Sequence, residues 1–355
     1  MLPGLLVCVL VAVVARLVGS ALQLGLETAV ALAIGLAVGS MASVRAALLA
    51  GAAPAARFAL RVGIALLGAR LTLGQLIETG GTSVVAIMAV VTVGLLLGTV
   101  AARRLGVPAP LSALITVGMA ICGNSAILAL APIVRAPHRE TAYAVSTITL
   151  FGLVGVLLLP VLGTALGLSD GVFGTWAGLA VNDTAQVVAT GYAVSPPAGD
   201  VATVVKLTRN LAILPVLLGA TWLAVRAAAG ATAGPSPAGA PAAASPLRLV
   251  ARAVPWFIVG FVVFAALRSV GLLDGVLPTG GTIADLCSAA AAVLILVALA
   301  GVGISTDVRA MVGVGGAPLL LGAAMWVVMG LLALVLAMVA AGGTGAEVVA
   351  VYHAG

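Results

Sequence analysis

Two short polar runs interrupt long apolar stretches, and they hold most of the chain's chemistry. The second, Asn182-Asp183-Thr184-Ala185-Gln186, sets a carboxylate, two amides and a hydroxyl within five residues. A charge at bilayer depth costs on the order of 3 kcal/mol on insertion scales, so Asp183 needs a partner or a task. A carboxylate held there can carry a proton or bind a cation; the alternative is a structural ion pair with Lys206 or Arg209. Lys206, Arg209 and Asn210 follow in the next apolar segment. Lys206 and Arg209 are three residues apart and share one helix face. Two cations against one carboxylate leave a positive surplus, which suits an anionic substrate; the alternative is snorkelling to the headgroups. The first run, Cys122-Gly123-Asn124-Ser125, offers a glycine that lets backbone approach a ligand, followed by side chains that donate and accept. In hydrocarbon such groups must be satisfied by protein, water or substrate; the alternative is a kink packed against a neighbouring helix. The candidate substrate-binding set is therefore Cys122, Gly123, Asn124, Ser125, Asn182, Thr184, Gln186, Lys206, Arg209 and Asn210, with Asp183 as the coupling group.

The elements that position these residues follow from composition. The apolar fraction is 63% and the charged fraction 7%, against roughly 25% charged in a soluble domain. A chain of this size in water needs far more polar surface; lipid removes that need. The fold class is an all-α polytopic membrane protein forming one transmembrane domain over 1–355. Apolar runs give about eleven segments, near 3–19, 26–43, 58–78, 83–101, 110–134, 141–166, 173–193, 202–225, 253–271, 286–304 and 315–341. The polar runs make two of these discontinuous, as re-entrant hairpins or broken helices. They are 110–134, which lies in the N-terminal portion spanning residues 1–193, and 173–193 at the end of that portion. The Ala/Pro/Gly stretch at 227–250 reads as a cytoplasmic linker, with C-terminal helices over 251–341. The first apolar stretch, starting at Leu2 without a basic flank, reads as a membrane helix.

An internal repeat supports a transporter. Residues 66–74 echo 299–307, and the first polar run with its approach echoes the second. Weak symmetry of this kind is found in secondary transporters with inverted repeats; here the second copy looks circularly permuted. If the two discontinuous segments are hairpins entering from opposite faces, Arg45, Arg57, Arg103, Arg104, Arg135, Arg139, Arg226, Arg248, Arg252 and Arg309 fall on the cytoplasmic side. Asp170, Asp200, Asp274 and Asp285 then fall outside, with the N-terminus cytoplasmic. Full-length broken helices are the alternative. Arg70 is interior or marks a helix end, Asp307 and Arg309 are interfacial, and His138 sits in a cytoplasmic loop.

Other classes are disfavoured. The net charge is +6, but no basic cluster is longer than Arg103-Arg104, so nucleic acid is not an expected partner. Cys8, Cys122 and Cys287 lack metal or disulfide spacing, so no metal or cofactor is expected. No Walker sequence or nucleophile–base pair is present, and an enzyme is not expected. A non-transporting scaffold or sensor and a Na⁺/H⁺ antiporter stay as alternatives to an anion carrier.

The run Ile121–Ala126, the run Asp183–Ala189, Lys206-Leu207-Thr208-Arg209-Asn210, the segment Arg61–Thr72 and Pro255-Trp256-Phe257 together resemble the YeiH-like sulfate exporter family of bacterial inner-membrane proteins. More distantly the chain is similar to the cation/proton antiporter and bile-acid symporter superfamily. The resemblance covers about residues 3–341. It implies a multi-pass inner-membrane transporter, with sulfate or sulfite as substrate and a proton or sodium ion as coupling ion. An organic anion is the superfamily's other option, and a homo-oligomer is allowed. Where the family pattern resembles His-Glu, this chain has Asn182-Asp183, keeping the acid.

Overall fold

The computed structural model describes residues 2–22, 27–213, 215–216, 218–220, 222, 256–278, 280–306 and 316–344. The described secondary structure is helical: α1 (Leu2–Leu22), α2 (Glu27–Ser40), α3 (Ala42–Leu67), a 3₁₀ turn (Gly68–Arg70), α4 (Leu73–Arg104), α5 (Ala109–Ala120), α6 (Asn124–Leu130), α7 (His138–Ala165), α8 (Asp170–Ala180), α9 (Thr184–Tyr192), α10 (Pro196–Leu211), α11 (Trp256–Ser269), α12 (Ile283–Ser305) and α13 (Ala317–Thr344). Among the described residues five spans, Ser43–Arg70, Leu73–Arg104, His138–Ala165, Ile283–Ser305 and Ala317–Ala340, are long and apolar enough to cross a membrane. Leu, Val and Met side chains stay exposed along α1, α4, α7 and α13, as lipid-facing surfaces require. The linker at 227–250, Asp307, Arg309, Arg226, Arg248, Arg252 and Pro255 lie outside the described residues.

Several boundaries differ from the sequence expectation. Thr72 accepts from the Gln75 backbone and Gln75 answers to the Thr72 N–H, a capping box that starts α4. The helix then runs through Gly80-Gly81, so the expected segments 58–78 and 83–101 are instead divided at 68–72. Residues 45–57, expected between segments, are helical in α3. Ser195 caps α10 through the Ala198 N–H, with Pro196 in its first turn. That helix therefore starts before the expected residue 202.

Among the described residues the helices pack around two large buried apolar clusters and a small third one of Ala69, Leu273 and Ala284. One large cluster is built from α4 to α10 with α13; the other from α1, α2, α3, α11 and α12, joined by side chains of α7, α9 and α10. In the second, small residues bring backbones together. A Cβ on Gly303 would lie 2.7 Å from the Gly35 carbonyl carbon, so α2 and α12 touch main chain to main chain.

Candidate functional site

Both discontinuous elements are hairpins. Gly98 of α4 faces Thr116, and Gly94 faces Ala120, so α5 runs antiparallel to α4. Gly118 faces Ile127 across the first break, which a continuous helix could not allow, and α6 turns back. In the second, Gly174 faces Ala198 and Val201, and Gly178 faces Ala202 and Val205, so α8 runs parallel to α10. Gly191 of α9 faces Ala198 and Gly199, while Thr184 meets Asn210, so α9 returns antiparallel. α7 joins the two. Its N-terminal half lies beside α6, where Thr149 meets Asn124, and Gly163 near its other end faces Phe173 at the start of α8. The hairpins therefore enter from opposite ends of the bundle.

Their tips meet. At Gly123 φ is +62° and ψ −126°, a conformation that glycine alone adopts readily. A Cβ there would sit 3.1 Å from the Asn182 carbonyl oxygen. Asn182, buried, donates to the Met119 sulfur at 3.0 Å.

α10 braces this junction. A helix that stops inside a membrane leaves its last carbonyls without partners and a partial negative charge at that end. Lys206 Nζ donates to the Ile121 carbonyl at 3.0 Å and to the Val181 carbonyl at 3.1 Å, one from each tip. Arg209 Nε donates to Ala120 O at 3.2 Å and Nη2 to Met119 O at 2.8 Å, while Nη1 donates to Leu179 O at 2.5 Å and Val181 O at 3.4 Å. Both cations are 0% exposed. The C-terminal ends of α5 and α8 thus share one pair of cations, spaced one turn apart as the sequence predicts. Their observed partners are main-chain carbonyls, and neither forms an ion pair with Asp183 among the described residues. Snorkelling to headgroups is ruled out by this burial.

The opposite halves of the hairpins begin differently. Asp183 is half-buried and its carboxylate accepts from the Ala185 N–H at 2.9 Å, capping α9. Thr184 Oγ1 accepts from Asn210 at 3.4 Å. Gln186 is buried and donates to the Thr149 carbonyl at 3.1 Å, and its Oε1 has no hydrogen bond. On the first hairpin Cys122 is buried, Asn124 half-buried and Ser125 exposed. Asn124 donates to Thr149 Oγ1 at 3.4 Å, and its Oδ1 has no partner. So Cys122, Gly123, Asn182, Lys206 and Arg209 gather at the tips. Asn124 and Gln186 converge on Thr149, Thr184 on Asn210, and Ser125 stands apart.

Asn124 opens onto a cavity of about 430 Å³ at the seam between the two apolar clusters. Arg57 of α3, Ser146 and Thr149 of α7, and Ser305 and Thr306 at the end of α12 also line it, with Ala and Val completing the wall. The seam's other end is bridged by side chains. Arg70, just after α3, pairs with Asp200 of α10 at 3.1 Å and lies 5.8 Å from the Tyr192 ring, and the Tyr192 hydroxyl donates to the same carboxylate. Arg70 therefore does both: it ends the turn after α3 and, partly exposed, pairs with the buried Asp200. Asp200 corrects the sequence reading: it is 6% exposed inside α10 and not in an outer loop, because α10 starts at Pro196. The Ser195-Pro196 cap signal, weighed on its own, places that helix start and would have moved Asp200 inward; Tyr192 carried no signal.

These features define an all-α, multi-pass membrane protein built around two hairpins that meet inside the bundle. The chain belongs to the family described as Conserved hypothetical protein 698, whose model matches residues 3–322. It is 34% identical over 283 residues to the UPF0324 membrane protein Atu0671 of Agrobacterium fabrum, covering 80% of this chain and 75% of the relative. It is 32% identical over 259 residues to a UPF0324 membrane protein of Clostridium tetani, covering 73% of each. A third relative, UPF0324 membrane protein TauZ of Paracoccus denitrificans, is 33% identical over 270 residues, covering 75% of this chain and 74% of the relative. No solved structure matches the chain.

Proposed function

We propose that the chain is a secondary active transporter, and not an enzyme, that exports a small inorganic oxyanion of the sulfate or sulfite type, driven by a proton or ion gradient. One observation carries the reading: two hairpins from opposite ends meet tip to tip, where irregular backbone is tolerated only against protein or a polar cavity. The two hairpins serve as inverted counterparts. The seam between the clusters is then the path, open at Asn124 and closed at Asp200. Arg45, Arg103, Arg104, Arg135 and Arg139 gather at the cavity end, while Arg70 and Arg268 at the other end are paired with Asp200 and Asp274. The charge rule makes the cavity end cytoplasmic, with the N-terminus on that side, and the location proposed with it is a bacterial inner membrane.

The cations at the tips then work indirectly. With their protons on carbonyls, Lys206 and Arg209 hold the tips together and lend a positive field, and Asn124, Thr184 and Gln186 supply polar contacts nearby. Asp183 is the coupling group. The test is flux of labelled sulfate and sulfite in proteoliposomes, with and without a pH gradient. Saturable flux that responds to the gradient is expected; absence of both fluxes under either condition removes the named substrates. Half-burial of Asp183 at the second tip favours a second reading, cation/proton antiport. Sodium-dependent proton release would support that reading, and indifference to sodium would count against it.

A further inference from the structure

The seam cavity contains one charged side chain, Arg57, and no carboxylate among the described residues. Arg57 lies in α3 twelve residues beyond Arg45, which places it about 18 Å further along the helix axis. A cation at that depth is costly against lipid and is normally turned to a partner or to water. Arg57 Nε donates to the Ala53 carbonyl of its own helix at 3.3 Å. No ion pair to it exists among the described residues, and its side chain is exposed. Arg70, at the closed end of the same seam, has a carboxylate; Arg57 has a cavity.

The other walls add hydrogen-bonding groups from both apolar clusters. Asn124 and Thr149 come from the hairpin side, Ser305 and Thr306 from the α12 side. Asn124 Oδ1 and Ser305 Oγ are buried and have no hydrogen-bond partner. A volume of about 430 Å³ exceeds what a bare tetrahedral anion fills, given roughly 30 Å³ per water molecule. Ala53, Ala56, Val145 and Val302 leave part of the wall apolar.

We propose that this cavity is an oxyanion-binding site in which Arg57, not the buried Lys206–Arg209 pair, makes the direct ionic contact. The planar guanidinium fork binds two oxygens of a sulfate-like or sulfonate head at once. The hydroxyls and Asn124 orient the head, and the apolar wall accepts either hydration water or a short organic tail. Because the two clusters both contribute, bound anion would be handed along the seam when they shift. The proposal deepens the carrier reading and rests on it for its role in transport, but binding can be measured without flux.

The experiment is a ligand-concentration series of thermal unfolding on the purified full chain in nanodiscs, with sodium sulfate and sodium methanesulfonate as probes and sodium gluconate at matched ionic strength as control. Wild type, Arg57→Gln, Arg57→Lys, Asn124→Asp and Arg103→Gln are compared, each first shown to elute as one species in size exclusion. Arg57→Gln is expected to weaken binding at least tenfold, Arg57→Lys about threefold, and Asn124→Asp, which adds a like charge beside the anion, at least tenfold. Arg103→Gln, on the same face but away from the cavity, changes it less than twofold. Saturable stabilisation of wild type by sulfate or methanesulfonate beyond that by gluconate supports the site, and none by either probe overturns it. The proposal is overturned if Arg57→Gln stays within twofold of wild type, or if Arg103→Gln loses as much as Arg57→Gln. Loss of binding in Arg57→Gln together with no flux in wild type upholds the site and removes the carrier reading. Unaltered binding in Arg57→Gln together with wild-type flux does the opposite.

Discussion

The two ends of the seam use the same residue in opposite ways. At one end Arg70 meets Asp200, and the Tyr192 hydroxyl completes the carboxylate's shell. At the other, Arg57 faces a cavity beside Asn124 and Ser305, whose oxygens are unbonded. Between them stand the hairpin tips, tied through Lys206 and Arg209. The difference matches a carrier at rest with one face open and the other shut, since a polar path must be wet on one side and satisfied by protein on the other.

The hairpin tips are where a substitution does most damage. Arg209→Met removes the donors to the Met119, Ala120 and Leu179 carbonyls, and each buried orphan costs about 1–3 kcal/mol. We expect a large fall in thermal stability in detergent and loss of flux; an unchanged melting temperature would show that the tips do not need the brace. Gly123→Ala comes next. Its positive φ and the nearby Asn182 carbonyl predict a loss of about 1–3 kcal/mol and a displaced tip, read by the same unfolding assay. Asp200→Asn attacks the closed end. Arg70 is partly exposed, so screening limits the loss to about 1 kcal/mol. Its larger effect is on access, with a thiol introduced by Thr203→Cys, buried one turn further along α10, becoming reactive to an impermeant maleimide. Thr28→Val removes the 3.5 Å contact to the Ala189 carbonyl across the same end. It is expected to shift stability by under about 0.5 kcal/mol, measurable only as a small change in unfolding midpoint.

The seam explains which features of the molecule are legible in the sequence. Polar runs in apolar segments stand out because lipid tolerates few polar groups, so both tips and the Lys206–Arg209 pair are visible as candidates. What those cations bond to is not, because carbonyls have no side-chain signature; the excess of two cations over Asp183 looks like ligand chemistry. Asp200 and Arg70 lie 130 residues apart, and their pairing depends on how α10 packs beside the turn after α3. Arg57 reads as a cytoplasmic residue between segments because the Ala-rich stretch before it carries weak periodicity, and its helical continuity from Ala42 is set by packing on α12. The division of 58–101 is misplaced in the sequence reading because Gly80-Gly81 resembles a stop, while the stronger signal is the Thr72–Gln75 box.

The most direct test of a seam open at one face is thiol accessibility in sealed membranes of known orientation. Cys287 is replaced by serine, the buried Cys8 and Cys122 are kept, and Ser146→Cys is introduced into the cavity wall. The thiol introduced by Ser146→Cys is expected to label with an impermeant maleimide from the face that carries Arg103, Arg104, Arg135 and Arg139, and to be protected by sulfate. Labelling from both faces at once would mean a channel, and labelling from neither would mean a sealed void; either result contradicts a carrier open to one side.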